Sequence, residues 1–81
     1  MRKGEYRGRL LTGTEQLYVI DAAQGLTARQ SGERRNVSIH TVHSMLVRAR
    51  RALGARNVAH AVALALIHGE ITPADLKGTE R

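Results

Sequence analysis

The chain has 81 residues, enough for one small domain around one hydrophobic core, and it carries 13 Lys and Arg against 7 Asp and Glu, a formal net charge of +6. That balance favours a polyanionic partner over an acidic substrate channel. Cysteine is absent, which excludes a disulfide scaffold and a cysteine-ligated zinc or iron site. The longest apolar run, VALALI at 62–67, is far too short for a bilayer, and no h-region adjoins the basic N-terminus; the protein therefore reads as a soluble, cytoplasmic one.

The charge is placed unevenly. Residues 1–10 form a basic arm with Arg2, Lys3, Arg7 and Arg9. No acidic residue falls between Glu33 and Glu70, whereas Arg34, Arg35, Arg48, Arg50, Arg51 and Arg56 all do. Next come the helix signals. Thr12 with Glu15, and Thr27 with Gln30, match the capping-box pattern, so helices are predicted to start near Gly13 and Ala28. Ser38 precedes a third helix, about 39–53, and Asn57 a fourth, about 58–68. Thr72, Pro73 and Asp75 mark a short last turn, while Gly25, Gly54 and Gly69 stand where helices stop. No stretch alternates with period two and aromatic content is 2%, so strands are not expected and the fold class is all-α.

The third helix has two faces. Val42, Met45, Leu46, Ala49 and Leu53 recur at three- and four-residue spacing and form the stripe that seats it. His40, His43, Ser44, Val47, Arg48 and Arg51 project from the other side. A helix about 10–12 Å across fits the major groove of B-DNA, where polar side chains along one edge reach bases and phosphates. Upstream, residues 28–35 read as a short helix, and Asn36 sits at a turn where a left-handed residue is tolerated. Short helix, tight turn and longer basic helix is the helix-turn-helix layout. The fourth helix is apolar on most sides: Val58, Ala61, Val62, Ala65 and Leu66 make one stripe, broadened by Ala63, Leu64 and Ile67. Such a helix is buried within the fold or between subunits, and its small alanines favour close approach in a homodimer.

Catalytic and metal chemistry find little support. His40, His43, His60 and His68 include one i,i+3 pair, but no His-Glu-x-x-His pattern, paired acids or Gly-rich phosphate loop accompanies them. No metal, no cofactor and no enzyme activity is expected.

The register of these signals resembles the LuxR/GerE-type helix-turn-helix domain over residues 11–66. Leu11, Thr12 and Glu15 match its opening; Gly25, Leu26 and Thr27 its Gly-Leu-Ser/Thr; Ser38, Thr41 and Val42 its Ser-x-x-Thr-Val. Leu53, Gly54, Arg56 and Asn57 match its Leu-Gly-x-Arg-Asn, and Ala61, Val62 and Ala63 its Ala-Val-Ala. The resemblance implies a four-helix domain over 11–69, followed by a tail at 70–81 with a short helical turn. Helix three then reads the major groove and helix four pairs two subunits through Val58, Ala61, Val62, Ala65 and Leu66. Ser38, Thr41, His40, His43, Ser44 and Val47 approach DNA, and Arg48, Arg51, Arg34 and Arg35 hold phosphates. A two-fold dimer implies an inverted-repeat site on double-stranded DNA. Only about ten residues precede the domain, so it is expected to stand alone, without a receiver or ligand-sensing module.

Departures from the pattern gather in helix two. The family's Glu-Ile-Ala is Gln30-Ser31-Gly32 here, its leucine before the turn is Arg35, and Asp21 replaces a leucine of helix one. Helix two is therefore predicted to be short, mobile or differently seated, with burial in helix one shifted toward Leu17, Val19 or Ile20. His43 stands where the family commonly has a basic residue, so base reading there is expected to be weaker or different. TVHSMLVRARRAL also looks like the recognition helix of sigma-factor region four, which leaves a second reading: an adaptor of the same fold that binds RNA polymerase or another regulator.

Overall fold

The computed structural model describes residues 10–77. Helices follow in the order α1 (Gly13–Ala23), α2 (Ala28–Arg35), α3 (Ile39–Leu53), α4 (Val58–Ile67) and α5 (Pro73–Lys77), with no strand among the described residues. The arm residues Arg2, Lys3, Arg7 and Arg9 and the final residues 78–81 lie outside the described residues.

Each predicted start is built as its side chains dictate. Thr12 Oγ1 accepts the Glu15 N–H at 3.0 Å while Glu15 Oε1 accepts the Thr12 N–H at 3.0 Å; Thr27 and Gln30 repeat the exchange at 3.1 and 2.8 Å. Ser38 Oγ accepts from Thr41 N at 3.2 Å, and Asn57 Oδ1 from His60 N at 2.8 Å. Each bond satisfies a backbone donor that a helix leaves without an internal partner. The ends of α1 to α4 also share one device. A residue with positive φ follows the helix (Gly25, Asn36, Gly54 and Gly69), and the next N–H turns back to a carbonyl of the last turn. Those return bonds run from Leu26 to Asp21, Val37 to Gly32, Ala55 to Arg50 and Glu70 to Ala65, at 2.8–3.0 Å.

The core joins α1, α3 and α4 through Val19, Ala49, Leu53, Ala61 and Ala65, closed by Leu11, Ala55 and Ile71. In α3, Val42, Ala49 and Leu53 are buried and Met45 and Leu46 half-buried, the seating stripe predicted from spacing. α1 meets its prediction only in part. Val19 is buried, but Leu17 is 41% exposed and Asp21 itself has no exposed surface. Burial did not move away from the aspartate; the aspartate went inside.

α4 calls for a second correction. Ala61 and Ala65 pack into the chain's own core, at 3% and 0% exposure, so they cannot line a subunit interface. Val62 and Leu66 are half-buried against the same core. The outward apolar surface is carried instead by Ala59, Ala63 and Ile67, the last 75% exposed, with Val58 at the helix start.

The domain also runs past residue 69. Ile71 is 1% exposed in the core, and the buried Glu70 carboxylate accepts the N–H groups of Leu10 at 2.7 Å and Leu11 at 3.4 Å. Gln16 Nε2 donates to the same carboxylate at 3.2 Å, and Gln24 Nε2 donates to the Asp75 carbonyl at 2.8 Å. Both chain ends of the described region are thereby tied to α1, and residues 70–77 belong to the domain instead of forming a separate tail.

Candidate nucleic-acid interface

α2 reads ARQSGERR, with Ala28 its one apolar residue, and it adds nothing to the hydrophobic core. Burial of apolar surface therefore cannot be what seats it. Its buried residues are Ser31 and Gly32. Ser31 and Arg35 are four apart and share a face; between them sits the carboxylate of Asp21. Ser31 Oγ donates to Asp21 Oδ2 at 2.6 Å, Arg35 donates through Nε to Oδ2 at 3.0 Å and through Nη2 to Oδ1 at 2.7 Å, and Arg34 Nη1 reaches Oδ1 at 2.8 Å. Arg34 also donates to Gln24 Oε1 at 2.7 Å.

Burial alone would raise the pKa of Asp21, but the hydrogen bonds from Arg35 and Ser31 and the charges of Arg35 and Arg34 outweigh it. The carboxyl is held below the ordinary aspartate range and stays ionised. Arg35 is correspondingly held above its usual range by the hydrogen bond to Asp21. Asp21, Ser31 and Arg35 thus form one feature, a polar clamp that seats α2 in the absence of apolar burial. Helix two is short, as predicted, and its seat is an ion-paired one.

The turn that follows is close. Asn36 takes φ 60° and ψ 46°, the left-handed conformation expected of it. Val37 folds back so far that a Cβ on Gly32 would stand 2.8 Å from the Val37 carbonyl oxygen. A side chain at residue 32 would therefore force the turn to shift.

Beyond the turn, α3 shows the residues the sequence assigned to its outer face. His40, Thr41, His43, Ser44, Arg48 and Arg51 are exposed, and Val47 is half-buried between them. Ser38 is exposed as well, but its hydroxyl caps the helix and lies 3.2 Å from Thr41 Oγ1. No acid occurs in α3, whose basic residues are Arg48, Arg50 and Arg51. The Arg48 side chain is 68% exposed and its Nε lies 3.8 Å from Glu15 Oε2, a loose pair worth little. Arg50 turns along the helix to donate to the Ala55 carbonyl at 3.4 Å.

The structure thus gathers His40, His43, Ser44, Val47, Arg48 and Arg51 on one open surface. It gives Arg34 and Arg35 a different occupation, on Asp21. Sequence reasoning missed Asp21 as the anchor of α2 and Glu70 as the anchor of the chain ends. The first had a usable signal in the Ser31–Arg35 spacing beside an acid unexpected in α1; the second had none, since Glu70 meets Leu10 only through the tertiary fold. No protein-family model matches the chain, and no curated protein or solved structure is significantly similar to it.

Proposed function

We propose that the protein is a sequence-specific regulator of transcription that binds duplex DNA through a LuxR/GerE-like helix-turn-helix, with α3 in the major groove. The observation that carries the reading is the α2–Asn36–α3 unit: a short helix, a left-handed turn and a 15-residue helix whose open face carries arginine and histidine and no acid. His40, His43, Ser44 and Val47 would discriminate bases, each good contact being worth about 1–3 kcal/mol. Selection from a random duplex pool at two salt concentrations tests this. Recovery of an inverted repeat with steep salt dependence is expected, and weak, sequence-blind binding would sink the proposal.

Phosphate contact falls to Arg48 and Arg51. Replacing either with alanine should reduce the magnitude of the slope of log K against log salt by about 0.9, as one phosphate contact is lost. Arg35→Ala should leave that slope unchanged and act on stability, because its guanidinium is engaged by Asp21. Equal changes in slope for Arg35 and Arg51 would return Arg35 to the phosphate set.

The homodimer is part of the same proposal, through the outward face of α4. Ala63→Glu or Ile67→Glu should halve the sedimenting mass while leaving the helical circular dichroism intact, since both positions are exposed in the single chain. An unchanged mass for both variants would remove α4 as the pairing surface.

A further inference from the structure

Ile39 is the first residue of α3 and is 43% exposed, directly after the Ser38 cap. The spacing 39, 43, 47 places it on one line of the helix surface with His43 and Val47. His43 is exposed and Val47 half-buried, so an aliphatic side chain stands one turn to either side of the imidazole. Ile39 lies outside the hydrophobic core, whereas its neighbour Val42 is fully buried. On its other side it borders an open hollow shared with Val37 and Gly32 and rimmed by Arg29, Glu33 and Asn36. Within the first turn of α3 it is the aliphatic side chain offered to solvent, among the exposed polar groups of His40 and Thr41.

Resting on the DNA-binding proposal above, we infer that Ile39 is a specificity residue that contacts the C5-methyl group of a thymine in each half-site. The N-terminal turn of a recognition helix is the part that comes nearest the base edges. Among the groups displayed in the major groove, the thymine methyl is the apolar one, and aliphatic side chains are its usual contacts. Polar base edges offer Ile39 nothing, because it has no donor or acceptor. Covering a methyl would remove both apolar surfaces from water. The half-site should accordingly hold a thymine on the side of the base read by His43 that faces the start of α3.

The test uses the duplex selected by the full-length protein, remade with deoxyuridine at each thymine in turn, which deletes the methyl and keeps the base pair. The wild-type protein should lose about 3- to 10-fold in affinity at one thymine per half-site. In Ile39→Ala that penalty should vanish at this position alone, with the penalties elsewhere unchanged, and Ile39→Val should restore most of it. A consensus whose deoxyuridine penalties are the same in wild type and Ile39→Ala, or which shows none, overturns the assignment of Ile39 and leaves DNA reading intact. A pool that yields no consensus with the wild-type protein overturns DNA reading itself, and the assignment with it.

Discussion

Asp21→Ala should lower the urea midpoint of unfolding more than any other truncation of a polar residue in α1 or α2. The variant leaves Ser31 and Arg35 facing a vacated buried site, and removing one member of a buried ion pair costs about 3–5 kcal/mol when the other is left stranded. Here the arginines are only partly buried, at 30% and 23% side-chain exposure, and recover some hydration, so about 2–4 kcal/mol is expected. For a domain of 81 residues, whose whole stability is about 4–12 kcal/mol, that is a large share. The pH dependence follows in sign. The folded-state pKa of Asp21 is lowered, so its contribution is complete above the unfolded value, about 3.9, and is lost as pH falls through the folded one. The stability gap between wild type and Asp21→Asn should therefore be flat above about pH 5 and shrink below about pH 4. The triple change Asp21→Leu, Ser31→Ile and Arg35→Leu replaces the clamp with an apolar contact, and should be as stable as wild type or more so. A gap independent of pH down to 2, or a benign Asp21→Ala, would show that the clamp does not seat α2.

Gly32→Ala should destabilise the protein, contrary to the usual effect of removing a glycine from a helix. Alanine would gain about 1 kcal/mol in helix propensity. Its Cβ, however, would lie 2.8 Å from the Val37 carbonyl oxygen and 3.6 Å from Val42 Cγ2, and the first of these is backbone that can yield only if the turn opens. Overpacking of this kind costs about 1–3 kcal/mol. Because the clash is with backbone, the upper part of that range, about 2–3 kcal/mol, applies; after the propensity gain the net loss should be about 1–2 kcal/mol, which for a domain of this size lowers the thermal midpoint by several degrees. If α2 and α3 form the proposed DNA-binding unit, DNA affinity should fall further than stability alone explains, because the contact of Gly32 with Val37 and Val42 lies between the two helices. Gly13→Ala is the matched control: nothing lies within 4 Å of the added atom, and its midpoint should stay or rise. A Gly32→Ala protein as stable as wild type would mean that the turn is not held by close contact.

Local signals were legible because local chemistry made them. The capping residues, the positive-φ stops at Gly25, Gly54 and Gly69, the left-handed Asn36 and the two faces of α3 each depend on residues within a few positions of one another. Direction of burial was harder. In α4, apolar residues occur almost all round, so periodicity could not say that Ala61 and Ala65 face inward while Ala63 and Ile67 face out. In α1, a charged residue is ordinarily assigned to the surface, and only its partners from another helix reverse that.

The sequence by itself determined an all-helical chain, where its helices begin and end, and which side of α3 stays open, since these follow from hydrogen-bond geometry and a 3.6-residue period. Only the tertiary structure decided how α2 is held. Asp21 is buried because Ser31, Arg34 and Arg35 converge on it from ten to fourteen residues away, and a carboxylate enters a protein interior only when such donors replace the water it gives up. The fold likewise decided that Glu70 closes the domain onto Leu10, a contact across sixty residues that no local pattern encodes.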